Sequence, residues 1–296
     1  MSAKSKVKAL FGGLGNLAAK RHVIHRRRDL TGAYPDVATA LAKVPRGALG
    51  GYDHDEVVSV KRDKMAEIQE WDYPVIYWLG RILGEHEGPL RLLDAGGHVG
   101  TKFIAFRRLL DLSRVDWAVH DLAPMVRAGR TMASELGLGP NLSFVTSVPE
   151  AGPRDLLLCS GLLQYLDRPL AQLVAEMPSP PRHIVINKVA LREGATVVTL
   201  QKAGPCYLPY QIRNRAEFER ELDALGYTLL DRWEIPSLSH RIDSHPELGT
   251  TTSAGYVLRA PGVAPRAGQA SGQGGQQSVY PGQDPINRIG FPAPCP

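Results

Sequence analysis

Residues 92–100 read LLDAGGHVG, a short apolar run that ends in an acid and is followed at once by glycines. Such a run is typical of a buried strand, and glycines let the backbone turn sharply and approach a ligand closely. A helical pattern follows over residues 102–111, so the glycines stand at a helix N-terminus, where free backbone N–H groups gather. The stretch predicts a ligand site at the carboxyl end of a strand in an α/β sheet.

Strand and helix patterns alternate outward from this stretch. The further strand patterns cover residues 115–121, 142–145, 155–159, 183–187, 228–233 and 255–259. Alternation of this kind predicts a parallel sheet, whereas the last two patterns have no helix between them and predict a closing antiparallel pair. We expect an α/β, Rossmann-like fold with a mostly parallel seven-stranded sheet whose last strand is antiparallel.

Composition divides the chain into four segments. Residues 1–30 hold eight Lys or Arg residues and one acid, and such a basic arm either stays solvated or makes a weak contact with an anionic membrane surface. We expect a helical cap over residues 31–70 and the ligand-binding domain over residues 71–260. Residues 261–296 are rich in Gly, Pro and Gln and are expected to form a disordered tail.

Charge and cysteine content exclude several classes of protein. The net charge is +5, but the arm accounts for all of it, so the rest of the chain is not a basic nucleic-acid-binding domain. Three cysteines are too few for a disulfide framework or a four-cysteine zinc site, which favours a reducing, cytoplasmic compartment. No apolar run approaches the roughly 20 residues that a membrane span needs. The oligomeric state stays open.

The spacing of acids and glycines distinguishes between ligand classes. The dinucleotide fingerprint G-x-G-x-x-G fails because His98 occupies its third position, which disfavours an NAD-dependent oxidoreductase, and the phosphate-binding P-loop motif is absent. Asp121 closes the second strand, where a carboxylate can accept hydrogen bonds from both ribose hydroxyls. An acid and a glycine turn without a lysine favour a nucleoside that lacks phosphate, and S-adenosylmethionine is one.

Three stretches in this order resemble the motifs of class I S-adenosylmethionine-dependent methyltransferases. They are residues 92–100, WAVHD at 117–121 and DLLLCSGLLQYL at 155–166. More closely, residues 31–259 resemble a group of bacterial proteins that are described only in general terms as methyltransferases. The resemblance implies S-adenosylmethionine as the cofactor and a small-molecule or glycan acceptor.

The resemblance also implies roles for individual residues. Asp94 would lie near the amino group of the cofactor, and Asp121 would bind its ribose. Leu122 would pack on the adenine. The other expected cofactor-binding residues are the turn residues Gly96, Gly97, His98 and Gly100, then Thr146 or Ser147 beside the adenine, and Ser160 and Gln164 at the methionine end.

Candidates for acceptor chemistry lie further along the chain. The sixth strand should be parallel to the first five, so the loop that follows it, residues 235–252, should open on the cofactor face. This loop holds His240, Asp243 and His245, an expected general base and its orienting acid. Three ligands on one loop are a weak metal signal, and we expect no metal. Residues 201–210 either wall an acceptor pocket or form a packed crossover.

Two functions remain open. The first is a methyltransferase that O-methylates a small or sugar-like acceptor, either a glycan or a secondary metabolite. The alternative is a non-catalytic partner or scaffold with the same fold, since His98 stands where the middle glycine of the first motif is usual.

Overall fold

The computed structural model describes residues 30–51, 66–242 and 244–262. The basic arm up to residue 29 and the expected tail beyond residue 262 lie outside the described residues. The strands are β1 (Leu30–Tyr34), β2 (Leu49–Gly50), β3 (Leu90–Ala95), β4 (Val115–His120), β5 (Leu142–Val145), β6 (Leu156–Ser160), β7 (His183–Arg192), β8 (Val197–Ala203), β9 (Cys206–Asn214), β10 (Thr228–His240) and β11 (Thr251–Arg259). The helices are α1 (Val37–Leu41), α2 (Tyr73–Glu85), α3 (Thr101–Phe106), α4 (Ala123–Glu135), α5 (Leu170–Ala175) and α6 (Arg215–Ala224).

Seven strands form the main sheet in the order β5-β4-β3-β6-β7-β11-β10. The first five are parallel to one another, and β11 runs antiparallel to both of its neighbours. Because β11 reverses direction, β10 is parallel to β7. The fold class predicted from the sequence, a mostly parallel sheet with an antiparallel last strand, is confirmed.

Both faces of the main sheet are covered, which explains why its central strands are continuous apolar runs. Neighbouring residues of β3 point to opposite sides: Leu92 packs into a cluster that contains Trp117, and Leu93 packs into a cluster that contains Tyr256. The sheet is thus held in place from two sides, and the carboxyl ends of β3, β4 and β6 form one edge.

A second, smaller sheet extends from the end of β7. Strands β8 and β9 form an antiparallel hairpin, to which β1 adds on one side and β2 on the other. Gly204, with φ +59°, and Pro205 form its two-residue turn, in which glycine at the first position is typical of a type II′ turn. Residues 201–210 are therefore a hairpin rather than a simple crossover.

A helical cap is expected over residues 31–70, but the described residues of this range form one short α-helix and two strands. Its five-residue helix α1 lies between β1 and β2, which pair with the free edges of the hairpin. Helix α2 begins at Tyr73 with Pro74 in its first turn, where a missing N–H costs nothing. Pro74 is therefore compatible with the helix, and residues 52–65 lie outside the described residues.

Candidate functional site

A cleft of about 620 Å³ opens at the carboxyl ends of β3, β4 and β6, within the range of roughly 300–1,000 Å³ that small-molecule sites occupy. Nine of the predicted cofactor residues line it: Asp94, Gly96, Gly97, His98, Asp121, Leu122, Thr146, Ser160 and Gln164. Gly100 and Ser147 do not line it. Gly100 immediately precedes α3 with φ +83°, so its part in the turn is conformational.

His98 adopts a backbone conformation that is common for glycine. Its φ is +57°, in the left-handed region, where histidine is found more often than most other residues with a side chain. In this conformation its backbone N–H donates a hydrogen bond of 2.8 Å to Oδ2 of Asp121. The turn after β3 is thereby joined to the end of β4, and the cleft stays open with the His98 side chain in its wall.

Asp94 is enclosed by the glycine turn. A Cβ on Gly97 would lie 2.6 Å from the carboxyl group of Asp94, so the turn closes over this acid only because residue 97 has no side chain. The indole N–H of Trp117 donates to Asp94 Oδ2 at 3.2 Å. Burial raises the pKa of Asp94 to about 7, so this carboxyl group changes charge near neutral pH.

Asp121 presents a carboxylate of defined orientation to the cleft. Besides the bond from His98, the N–H of Leu122 donates to Oδ1 at 2.8 Å. Burial raises the pKa of Asp121, and these two backbone bonds oppose the rise. Each oxygen keeps a lone pair beyond its backbone bond, so the pair of oxygens fits a vicinal diol such as that of a ribose.

Only some of the residues expected beside the adenine offer it a free contact. Leu122 is 40% exposed at the cleft mouth and offers an apolar surface for a flat ring. Thr146 lines the cleft, but its backbone N–H donates to Glu150 at 3.1 Å and its hydroxyl lies 3.4 Å from the same carboxylate. The Thr146 amide is thus already bonded within the protein, and Ser147 does not line the cleft.

The deep end of the cleft is built by contacts that the sequence analysis did not predict. Asn187 is buried and donates to Ser160 Oγ at 3.3 Å and to the backbone oxygen of Trp71 at 3.1 Å. The neighbouring Asp72 binds Lys102, which also lines the cleft. Together these bonds fix the turn before α2 over the end of β6.

Another part of the cleft wall is aromatic and comes from the segment after β6, the hairpin and β10. The Tyr165 ring packs edge-on against Tyr210 with centroids 5.4 Å apart, and Tyr210 packs edge-on against His240 at 5.9 Å. The Tyr165 hydroxyl donates to Gln201 Oε1 at 2.6 Å. The Gly-Pro turn and the tyrosines at 207 and 210 were the available sequence signals for this wall.

Of the two predicted catalytic residues that the structure describes, His240 lines the cleft and His245 does not. β10 continues to His240, so the following loop starts later than residue 235, which corrects the predicted boundary. His240 is 1% exposed, lines the cleft, and has Nε2 3.3 Å from the Tyr210 hydroxyl. His245 does not line the cleft, and its Nδ1 lies 2.9 Å from Ser244 Oγ. Asp243 lies outside the described residues.

Among the described residues, no group of three or more His, Cys, Asp or Glu side chains is placed to hold a metal ion. None of the helices within residues 30–51, 66–242 and 244–262 is both long and apolar enough to cross a membrane.

No family model matches the sequence, and no curated protein matches it significantly. The chain is similar in structure to S-adenosylmethionine-dependent methyltransferases. The 1,6-didemethyltoxoflavin-N1-methyltransferase of Burkholderia thailandensis, solved with S-adenosylhomocysteine, has a TM-score of 0.43 and 18% identity, over 64% of this chain and 78% of that chain. The glycopeptide N-methyltransferase MtfA, also solved with S-adenosylhomocysteine, has a TM-score of 0.45 and 13% identity, over 66% and 92%.

A third structure is the magnesium protoporphyrin IX methyltransferase of Synechocystis, solved with S-adenosylmethionine. Its TM-score is 0.41 at 16% identity, over 67% of this chain and 79% of that chain. All three TM-scores lie below 0.5, so the function of this chain is inferred from the residues of its own cleft.

Proposed function

We propose that this protein is an S-adenosylmethionine-dependent methyltransferase. The observation that carries the proposal is the carboxylate of Asp121, held at the cleft mouth by the backbone N–H groups of His98 and Leu122 at 2.8 Å each. A carboxylate at the end of the second strand of a nucleotide-type sheet suits a ribose diol. The left-handed His98 supplies one of those bonds, which favours a cofactor site over the non-catalytic partner or scaffold considered from the sequence.

The remaining polar groups of the cleft fit the positively charged ammonium group of an amino acid. Asp94 lies at the base of the glycine turn and Gln164 faces the same space, so acceptors of hydrogen bonds are available for an ammonium group. No phosphate-binding motif accompanies them. Bound there, S-adenosylmethionine would supply a methyl group on a positively charged sulfur, which is already a good leaving group.

We further propose that methyl transfer is to an oxygen of a small or sugar-like acceptor, a glycan unit or a secondary metabolite. The wall formed by Tyr165, Tyr210 and His240 supports this, because it offers flat surfaces and hydroxyl and imidazole groups to the cleft. His240 would take the acceptor hydroxyl proton as the new carbon–oxygen bond forms, and Tyr210 would orient the imidazole. The role of His240 is that of a general base.

Thermal unfolding with S-adenosylhomocysteine tests the cofactor class, with NAD as the control. A ligand that binds only the folded protein adds about 2.7 kcal/mol to the free energy of unfolding at 100 times its dissociation constant. We expect a rise in Tm with S-adenosylhomocysteine alone. No rise with either ligand would refute the proposal, and a rise with NAD alone would favour the oxidoreductase alternative.

A mass-spectrometric screen tests the acceptor class. Purified protein with S-adenosylmethionine is incubated with hydroxylated sugars, phenols and matched amines, and a mass gain of one methylene is sought. Products from hydroxyl compounds alone are expected, whereas products from amines alone would refute transfer to oxygen. A cytoplasmic location and a weak membrane contact of the basic arm stay predictions from the sequence.

A further inference from the structure

Strand β7 contains a bulge where it passes the cleft. Ile186 and Val189 are three positions apart, but their partners on β11 are only two apart, so Asn187 and Lys188 together face one residue. Lys188 has φ +61°, a conformation that strains a lysine and suits a glycine. Bulges beside functional sites commonly redirect a side chain, and here the redirected side chain is that of Lys188, which lines the cleft.

Space for this lysine is provided by a glycine on the neighbouring strand end. Gly161 follows β6 with φ +86°, and a Cβ on it would lie 2.9 Å from Cε and 3.0 Å from Nζ of Lys188. Contacts that short essentially never occur, so a side chain at residue 161 would displace the lysine. The strained backbone of Lys188 and the missing side chain of Gly161 together place the lysine ammonium group over the end of β6.

Gln164 provides an independent sign that a ligand is expected at the same point. It is 7% exposed, and its Oε1 is buried without a hydrogen-bond partner among the described residues. Its Nε2 lies 3.6 Å from the same Cβ position on Gly161, which places the amide beside Lys188. A buried carbonyl oxygen without a donor is unfavourable, and a ligand N–H would satisfy it.

Charges of both signs meet at this point. Burial raises the pKa of the Asp94 carboxyl, and the positive charges of Lys102 and Lys188 oppose that rise, so both ammonium groups act on this acid. Lys102 and Arg168 each bind a carboxylate of the protein, and Lys202 is exposed. Lys188 instead lies beside Gly161 at the end of β6, next to Gln164.

We propose that Lys188 binds the carboxylate of the cofactor's methionine end, while the α-ammonium group of that methionine end lies between Asp94 and Gln164 Oε1. An α-amino acid carries one charge of each sign a few atoms apart, and the cleft presents an acid, a neutral acceptor and a lysine around one space. This inference rests on the proposed S-adenosylmethionine function. It assigns to Lys188 the preference for a cofactor whose amino acid end carries both its ammonium group and its carboxylate.

The role of Lys188 is tested by measuring the dissociation constants of two ligands by calorimetry. The first is S-adenosylhomocysteine, and the second is its decarboxylated analogue S-adenosyl-3-thiopropylamine, which keeps the ammonium group. For Lys188→Met we expect the dissociation constant of S-adenosylhomocysteine to rise about 10- to 100-fold, as for a lost charged hydrogen bond, and that of the analogue to stay unchanged. The matched control Lys202→Met removes a lysine from the same cleft and should change neither. Lys188→Gly should lose the same affinity while the Tm of the free protein rises, because the backbone strain is relieved.

Each contrary result has a distinct meaning. Equal weakening of both ligands by Lys188→Met would overturn the proposal, since the lysine would then shape the cleft rather than bind a carboxylate. Unchanged binding of S-adenosylhomocysteine would overturn it as well. If the wild-type protein bound neither ligand, the proposed function itself would fail, and that outcome is recognised before any variant is compared.

Discussion

Lys102 Nζ lies 2.7 Å and 2.9 Å from the two carboxylate oxygens of Asp72, and both side chains are buried. The pair joins the first turn of α3, which begins right after the glycine turn, to the segment that leads into α2. One of its members lines the cleft and the other does not. Folding of the N-terminal part of the domain and shaping of the cleft are therefore coupled through one ion pair.

Removal of one member of this pair should be costly. Lys102→Met leaves the Asp72 carboxylate buried without its counter-ion, and we expect the free energy of unfolding in urea to fall by about 3–5 kcal/mol. Adding Asp72→Asn to it should restore part of that loss. Arg81→Met is the control, because its pair with Glu85 is exposed and should matter little. Similar effects of the two single variants would contradict the assignment.

Ribose binding by Asp121 predicts a loss of cofactor affinity. Asp121→Asn keeps the shape of the side chain but exchanges one acceptor oxygen for an amide donor, so one ribose acceptor and one of the two backbone bonds are lost. The free energy of S-adenosylhomocysteine binding should weaken by about 1–3 kcal/mol. Asp116→Asn, near the other end of the same strand, should leave it unchanged. An unaltered dissociation constant for Asp121→Asn in calorimetry would remove the ribose assignment.

Cofactor affinity should depend on pH through Asp94. Its pKa is raised by burial to about 7, so it is mostly neutral at pH 6 and mostly ionised at pH 8. A bound ammonium group prefers the ionised form, and the dissociation constant of S-adenosylhomocysteine should therefore fall as pH rises from 6 to 8. In Asp94→Asn binding should be weaker and this dependence should vanish; a persisting dependence would assign it to another group.

The same acid affects the free protein in the opposite direction. A carboxyl group whose pKa is higher in the folded than in the unfolded state stabilises the fold at low pH and loses that contribution as pH rises. Between pH 4 and pH 8 the ligand-free wild type should therefore lose stability relative to Asp94→Asn. Urea midpoints at the two pH values measure the difference, and parallel changes in both proteins would argue against it.

The fit of the glycine turn around Asp94 can be tested by one added methyl group. Gly97→Ala places a Cβ 2.6 Å from the Asp94 carboxyl, and we expect the free energy of unfolding to fall by about 1–3 kcal/mol with weaker ligand binding. Gly84→Ala is a matched control, since a Cβ there meets nothing within 4 Å and alanine favours a helix. Its stability should rise slightly.

Methyl transfer to the acceptor should depend on His240 and not on His245, the two histidines predicted as catalytic from the sequence. His240→Gln should keep S-adenosylhomocysteine binding but lower kcat by about 10²- to 10⁴-fold, the usual contribution of a general base. His245→Gln should change neither, because its side chain lies outside the cleft. Equal losses of kcat in both variants, measured with an acceptor found in the screen, would refute the role of His240.

The sequence was sufficient for those parts of the fold and site that depend on local pattern. Residues 92–100 combine an apolar run, an acid and glycines, and the turn forms there with Asp94 and Asp121 at one cleft. The paired strands β8 and β9 were not recognised, although Gly204 and Pro205 mark a turn, because their pairing with β1 and β2 depends on distant residues. His240 is a candidate from the sequence, but its position in the cleft, like that of Lys188, needed the structure, since neither the full length of β10 nor a bulge without glycine is visible in a single sequence.

The bulge in β7 also reverses which side chains face which side of the sheet. Before it, Ile184 and Ile186 enter the same apolar cluster as Val189 and Leu191 after it, although the two pairs have opposite parity. A regular strand would keep even and odd residues on separate faces throughout. Deletion of residue 188 would restore that regularity and turn one half of the strand inside out, so the two cores constrain the length of β7 as well as its composition.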